Sequence, residues 1–583
     1  MFALPTRLPR PDRSFYRSAV AEPPPSSAPP RLAALLVVVV TAGNALWLHR
    51  HRLTSARDVD ESAYLTLAFL ASSPDHRIAT TPWVLWQSTG HQAPLLPLAT
   101  GLLHDVIGRT LYTSYLTNLV FLAVLLVATY ALARRFTTGW WSLLAMSVVA
   151  TTPGIVDYTR HYHFAIPAAA TFTAALVALL RSERLTHRWW AVGFGVALAG
   201  VLLARTVMLA FAPGLVVAAV WAILAGATAD RGRAFRNLAL ALLIAAIGAG
   251  SWYVFSAPDV WDYLTGYGYG TESTGYGAAS MTSLRFWFSD PVAVVSDGFY
   301  LPLALVLAAG AAVGLATGPR GPGGWRARLQ GEAVLVAVPL LLGFVALLTS
   351  RNAGTGFVLP LLPGAVVLTV HLLARSRPHV LATVGAVLLL AIALGNTAMK
   401  SNVTDSLQDE VTVTLAPWAS LRVIDGDSVV DRYVRSETFP PTDEHPNGWD
   451  AAAREVLAAA RADTPEGRTP DLFLTVDGAL FNVPTLELEA QRGDRPRPNV
   501  GGVDRATIDQ VAEDPAVLTR LLADLRDREV DHVVTGPAAL AWRGYSLEES
   551  ATTQAAAAAG YQPVTAIDLP DGRQVLLWSL REP

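Results

Sequence analysis

The sequence predicts a polytopic α-helical membrane protein of about eleven transmembrane helices, followed by a C-terminal extracytoplasmic α/β domain. Three observations predict it. Hydrophobic residues fill 52% of 583 positions and charged residues only 16%, which is too apolar for an ordinary soluble enzyme. The apolarity is concentrated between Arg31 and about Asn396, beyond which Asp, Glu and Arg return at globular density. Arginines mark every second connection between the apolar runs.

Residues 1–30 read as a disordered cytoplasmic tail, Pro-rich from 23 to 30. The apolar run behind the tail has no small-residue cleavage site and enters a charged loop, so it reads as a span and not as a cleavable signal peptide. A helix crossing about 30 Å of hydrocarbon needs about 20 mostly apolar residues. Segments 32–48, 111–133, 138–153, 164–180, 189–204, 206–227, 236–256, 298–317, 332–349, 357–374 and 379–396 fit, several of them short. The polar break at Arg205-Thr206 makes 189–204 and 206–227 a tight helical hairpin. Inner loops carry Arg134-Arg135, Arg181, Arg184, Arg188, Arg231, Arg233, Arg236, Arg320, Arg326, Arg328, Arg375 and Arg377. An odd number of spans then places loop 49–110, the Tyr-rich loop 257–296 and the C-terminal domain outside a bacterial plasma membrane, with the N-terminus inside.

The net charge of −3 gives no footprint for nucleic acid. With no cysteine, disulfides, thiolate ligands and thiol nucleophiles are excluded. Abundant Ala, Arg, Val and Gly with few Lys point to a GC-rich bacterial genome.

The outer loops hold the unusual chemistry. Loop 49–110 is far longer than a helix connection needs and carries Asp58, Asp60, Glu61, Tyr64, Trp83, Trp86, His91 and Gln92. Helical spacing over 61–70, and again over 93–103, predicts two amphipathic helices lying on the membrane surface. Asp60 reads either as a helix N-cap or as a carboxylate held at headgroup depth. Arg160, His161, His163, Arg205, Arg285 and Arg351 fall at the outer ends of other spans, against the charge rule. Each alone can pair with a carboxylate; several on one face form a site for an anionic headgroup. Loop 263–276, rich in Gly and Tyr, either covers such a site or is a plain connector. Asp58-x-Asp60 also has the spacing of a divalent-metal site, although a monophosphate beside arginine needs no metal, so the expectation is no cofactor.

These residues resemble the GT-C superfamily of membrane glycosyltransferases, in the branch of the protein O-mannosyltransferases and the lipid A aminoarabinose transferase. The resemblance rests on Asp60-Glu61-Ser62-Ala63-Tyr64 after the first span, on His91-Gln92-Ala93-Pro94-Leu95, similar to a His-x-Pro-Pro-Leu element, and on Ser350-Arg351-Asn352 followed by Phe357-Val358-Leu359-Pro360-Leu361-Leu362-Pro363. Order and topological side agree, and together the motifs cover most of 30–400. Two departures stand out: Ala93 replaces the second Pro, and Arg160-His161-Tyr162-His163-Phe164 lacks the acid that usually follows the Arg.

The resemblance implies that 31–400 is a GT-C-like transmembrane glycosyltransferase domain. Its partners would be a polyprenyl-phosphate sugar donor, a cell-envelope acceptor (glycan, lipid or protein) and the bilayer, with the anomeric centre inverted. A weak hydroxyl nucleophile needs a general base, for which Asp60 is the choice, with Glu61 orienting it or the acceptor and Asp58 as a further acid of the cluster. The leaving phosphate needs cationic or hydrogen-bonding partners, for which Arg205, Arg351 and His91 lead, with Tyr64 and His163 nearby. Two rival classes remain: a transporter or flippase of envelope lipids or glycans, and a non-catalytic envelope glycan-binding protein. The spans show no internal repeat and no mid-span acid or Lys of the kind a transporter uses for coupling.

Region 401–583 reads as alternating strands and helices, with helices over 449–462 and 515–528 and strands over 472–476, 530–534, 566–569 and 575–578. It shows no nucleophile elbow, phosphate loop or metal cluster, and is expected to bind acceptor or to cap the membrane site.

Overall fold

A computed structural model describes residues 28–580, apart from 54, 74–80, 227, 269, 271–278, 319–330, 352–355, 402–409, 427–447, 477, 479, 493–497, 504, 538–546 and 548. Most of the proposed tail, the arginines at 320, 326 and 328, Asn352 and much of the Tyr-rich loop therefore lie outside the described residues. The chain forms a helical bundle followed by two small sheets.

Every segment read as a span is helical. In order the helices are α1 (Ala28–Trp47, continued by a π turn Leu48–Arg52), α2 (Val59–Ala71), α3 (Thr81–Ser88), α4 (Leu95–Ile107), α5 (Leu111–Ala133), α6 (Gly139–Thr151), α7 (Pro153–Thr159), α8 (Ala165–Arg181), α9 (Arg188–Ala204), α10 (Ala212–Leu224), α11 (Arg231–Gly266), α12 (Leu284–Ala293), α13 (Leu301–Thr317), α14 (Glu332–Thr349), α15 (Leu362–Ala374) and α16 (His379–Lys400). Among the described residues, six helices are long and apolar enough to cross a membrane, or up to eight if each of two bent pairs counts as one span. The chain is thus a multi-pass membrane protein. The gap between eight and eleven has a simple origin. The three remaining segments are shorter apolar helices: α8 and α9 have 17 residues each, about 26 Å at 1.5 Å per residue, and the third is Leu359–Ala374.

Small residues let the helices approach closely, as membrane bundles require when solvent exclusion cannot drive association. A Cβ on Gly195 of α9 would stand 2.5 Å from the Ala241 carbonyl oxygen of α11, and one on Gly314 of α13 would stand 2.5 Å from the Leu372 backbone of α15. The expected tight hairpin at 205–206 is revised. The chain does turn sharply there, but α9 packs on α8 and α11 while α10 packs chiefly on α14. Helix α11 also runs further than expected. Its 36 residues span about 54 Å, so the start of the predicted Tyr-rich loop is helical through Gly266, across Pro258.

Helices α2 and α4 exist where amphipathic surface helices were expected, but α2 is not a surface helix. Glu61, Ser62, Tyr64, Leu65, Thr66, Leu67, Ala68 and Phe69 are all buried. What covers α2 is the C-terminal region, which the sequence pattern alone could not place there.

That region begins with a hairpin, β1 (Val411–Ala416) and β2 (Ala419–Ile424). Then come α17 (Gly448–Asp463), β3 (Asp471–Leu474), α18 (Val483–Arg492), β4 (Asn499–Gly502), α19 (Arg505–Glu513), α20 (Ala516–Asp527), β5 (His532–Thr535), α21 (Glu549–Ala558), β6 (Gln562–Asp568) and β7 (Gln574–Ser579). The sheet order is β4-β3-β5-β7-β6, with β4, β3 and β5 parallel and β7 and β6 antiparallel. Strand β4, only four residues with two glycines, carries a weak pattern, whereas the alternating Val411–Ala416 of the β1–β2 hairpin was legible and was not singled out.

The bundle and the sheet interlock at α2. Leu488 of α18 packs in the core of the bundle, and Ala56, just before α2, packs in the core of the sheet. The Thr66 hydroxyl donates to the Pro484 carbonyl at 3.4 Å and the Arg109 guanidinium donates to the Gln491 carbonyl at 2.8 Å. Arg57 forms a buried ion pair with Asp450 of α17.

Candidate active site

The acidic cluster sits at the first turn of α2. Asp58 is its N-cap, with a carboxylate oxygen accepting the Glu61 amide at 2.8 Å. Burial, and then the neighbouring charges of Asp60 and Glu61, push the Asp58 carboxyl up to about 7. Asp60 follows on the exposed side of the same turn.

Glu61 faces the other way. It forms an ion pair with Arg52 of the π turn, and both side chains are only 2% exposed. Its other oxygen accepts the Tyr162 amide at 3.0 Å. With both oxygens engaged, Glu61 ties α1, α2 and the α7–α8 connection together, beside Asp60, which it was expected to orient. Arg52 was not singled out by sequence, since nothing in Leu48-His49-Arg50-His51-Arg52 tells which cation turns inward.

Asp60 lies within electrostatic reach of Arg205. Arg205, in extended backbone between α9 and a 3-10 turn Thr206–Leu209, has Asp60, Tyr64, Tyr158 and Tyr263 within electrostatic reach. Its guanidinium lies 4.2 Å over the Phe164 ring and 4.0 Å over the Phe357 ring, which hold it by cation–π contact. Tyr64 packs on Phe164 at 4.5 Å between ring centroids, and burial raises its phenol well above the usual range, so it stays protonated.

His91 lies beside this group. Its ring stacks on Tyr263 at 4.5 Å with an interplanar angle of 8°, and its carbonyl accepts from the Thr206 hydroxyl. Burial lowers its imidazole below the usual value, so His91 is a neutral donor or acceptor and not a standing cation. The same connection explains the Gly90 backbone, which adopts φ +51° in the turn before His91.

His163 and Arg351 have local roles. His163 is buried between Tyr158 at 4.8 Å and Phe164 at 3.9 Å, and its Nδ1 accepts the Ala165 amide at 3.2 Å at the start of α8. Burial and the Arg205 charge hold its imidazole well below the usual range. A neutral ring engaged in this way packs on Phe164, which in turn lies against Arg205. The Arg351 amide donates to the Gly268 carbonyl at 2.8 Å, tying the end of α14 to the end of α11. Just beyond it Gly356, at φ +75°, lets the chain pass the Tyr158 ring, which a Cβ there would approach to 2.9 Å, and this brings Phe357 onto Arg205.

A second charged cluster was not foreseen. Asp157 of α7 pairs with Lys400 at 2.8 Å, and Lys400 Nζ also donates to the Tyr300 hydroxyl at 3.0 Å. Arg160 donates to Asn44 Oδ1 at 3.0 Å and to the Lys400 carbonyl, and lies 4.1 Å over Trp47. The acid expected after Arg160 is thus found three residues before it, in a buried ion pair. Among the described residues no three His, Asp or Glu side chains converge as metal ligands.

No family model and no curated protein matches the sequence. Solved structures do match. ArnT from Cupriavidus metallidurans bound to undecaprenyl phosphate is similar with a TM-score of 0.56 at 14% identity, over 95% of this chain and 98% of that one. The same protein in the apo state gives 0.53 at 16% identity, over 94% and 98%. Archaeal oligosaccharyltransferase AglB from Archaeoglobus fulgidus gives 0.49 at 13% identity, over 88% of this chain and 70% of that one. The likeness to ArnT covers nearly the whole of both chains, and the chain therefore shares the fold of ArnT.

Proposed function

We propose that the protein transfers a sugar from a polyprenyl-phosphate donor to a cell-envelope acceptor at the outer face of the membrane. One observation carries the reading: an exposed carboxylate, Asp60, stands within electrostatic reach of a buried guanidinium, Arg205. This pairing lies on a fold shared with ArnT, a protein solved with undecaprenyl phosphate bound. In the proposed reaction the acceptor oxygen bonds to the anomeric carbon as its proton passes to Asp60. The bond from that carbon to the phosphate oxygen breaks, and the electron pair leaves with the polyprenyl phosphate. Arg205 faces the charge that develops on the leaving oxygen, with Tyr64 and neutral His91 as hydrogen-bond donors and no need of a divalent metal.

The same reading takes α8, α9 and α15 with its preceding 3-10 turn as crossings shortened by burial inside the bundle, which gives eleven spans with the two bent pairs. The N-terminus is then cytoplasmic and the sheets lie outside, above α2. A second assignment has its own observation. Asp58, with its carboxyl near 7, is better matched in basicity to a general base at neutral pH; against it stands its N-cap hydrogen bond, which Asp60 does not share.

The test is release of polyprenyl phosphate by purified wild type, Asp58→Asn and Asp60→Asn, with a panel of polyprenyl-phosphate hexoses and pentoses and crude envelope acceptor. Loss of turnover in folded Asp60→Asn alone supports the reading. Loss in Asp58→Asn alone moves the base, and no turnover with any donor, joined to lipid transport in liposomes, overturns the transferase.

A further inference from the structure

The β1–β2 hairpin turns an apolar face away from the other described residues. Val413 pairs with Leu421, Thr412 with Arg422 and Thr414 with Ser420, so alternation separates Val413 and Leu421 from their polar neighbours, while the register shifts on either side, at 411/412 and 414/416. The polar face is held. Arg422 pairs with Asp297 and, at 3.0 Å, with Glu410, while the Ser296 hydroxyl donates to the Ser420 carbonyl. The other face presents Val411, Val413 and Leu415, the last 64% exposed, with exposed Trp418 beside the turn. In water such a face on a two-stranded sheet is a template for aggregation.

The helices fix the height of this hairpin. Just past β2, the Asp425 carbonyl accepts from the Tyr300 hydroxyl at 3.4 Å, and Tyr300 in turn accepts from Lys400. Tyr300 is the N-cap of α13 and Lys400 is the last residue of α16. The base of the hairpin is therefore bolted to two helix ends at one edge of the bundle. Helix α12 packs beside β2 and exposes Leu284, Trp287 and Phe288, the first by 72%. Through a π turn, Val294–Phe299, it runs into α13, whose Leu305 is exposed on the bundle surface in its turn.

We propose that the hairpin 411–424 and α12 form a platform that inserts Val413, Leu415, Trp418, Leu284, Trp287 and Phe288 into the bilayer at the outer ends of α13 and α16. The occupant of the exposed face is lipid at the level of headgroups and upper acyl chains. Three features favour lipid: the hairpin sits beside α12, whose Leu284, Trp287 and Phe288 are exposed as well, the two together carry the Trp and Phe that suit a membrane interface, and the hairpin's own cation, Arg422, is drawn into an ion pair with Asp297. The platform seats the protein at a fixed depth independently of the chemistry at Asp60.

The absence of cysteine makes the test direct. The full chain carries a single nitroxide at Val413→Cys, Leu415→Cys or Trp418→Cys, with Thr565→Cys on the exposed face of β6 as the aqueous reference, and is placed in nanodiscs of phosphatidylcholine and phosphatidylglycerol. Collision rates are measured with oxygen, which concentrates in lipid, and with a water-soluble nickel chelate. The expected result is several-fold fewer nickel collisions at 413 and 415 than at 565, with oxygen collisions raised. Equal nickel access at 413, 415 and 565 overturns the platform. So does strong dipolar coupling between labels at 415, which assigns the face to a second copy. Agreement between 415 and 418 guards against one label disturbing the hairpin.

Discussion

Two charged clusters lie at helix ends in this protein, and they differ in how their members are held. In the first, Asp157, Lys400, Tyr300, Arg160 and Asn44 bond to one another, and the Asp157 and Lys400 side chains are 1% and 2% exposed. In the second, Asp60 is exposed while Arg205 is held mainly by the rings of Phe164 and Phe357. An aromatic face steadies a guanidinium by cation–π attraction. The first arrangement fastens helices by buried ion pairs; the second sets a guanidinium on two rings near an exposed carboxylate. The boundary between the two kinds runs between adjacent residues, since Glu61 belongs with the fasteners and Asp60 does not.

The comparison breaks most readily at Asp60 and Arg205. Asp60→Asn is expected to lower turnover by about 10²–10⁴-fold, the range for a positioned base, with melting temperature unchanged. Arg205→Ala is expected to lose about 10²-fold or more through the leaving group, and Arg205→Lys to recover part of it. Wild-type turnover in either alanine or asparagine variant would place the second cluster among the fasteners.

The opposite signature is expected at the first cluster. Lys400→Met leaves a buried carboxylate without its cation and is expected to cost about 3–5 kcal/mol, read as a lowered melting temperature, whereas Lys400→Met with Asp157→Leu recovers most of it. Glu61→Gln is expected to destabilise by about 2 kcal/mol while the remaining folded protein keeps its turnover. Lost turnover at unchanged stability would return Glu61 to the reacting groups.

Asp58 gives the pH dependence. Its carboxyl is raised in the folded protein to about 7, above an unfolded value of about 4. The neutral acid is therefore favoured by folding. That contribution is complete below pH about 4 and fades as pH rises through 7. Wild type should lose thermal stability between pH 5 and 8, and Asp58→Asn, which keeps the N-cap acceptor, should flatten that decline. An identical slope in the variant would show that Asp58 does not titrate there. The smallest effect is for metal: EDTA should leave turnover unchanged, and a loss restored by magnesium or manganese would assign a cation to Asp58 and Asp60.

How far the site was legible depended on which contacts lie close in sequence. Asp58, Asp60 and Tyr64 were readable because a helix start after a span places them within two turns. Arg205 was readable because an arginine at an outer hairpin defies the charge bias of membrane loops. The partners that decide between fastening and chemistry come from far along the chain: Lys400 for Asp157, Phe357 for Arg205, Asp450 for Arg57. Neither helical periodicity nor the charge rule carries information over such separations.

The sequence by itself determined the helical segments, because each must satisfy its own backbone hydrogen bonds and offer lipid an apolar surface. It also determined the alternating elements of the C-terminal region, through period-2 and period-3.6 patterns. Only the tertiary structure decided that α2 is buried and not spread on the membrane, because its apolar residues would serve equally well against lipid or against α18. For the same reason it alone decided which carboxylates are closed off. Ionisable side chains look alike in a sequence, and the surroundings that distinguish them are assembled only when the sheet closes over the bundle.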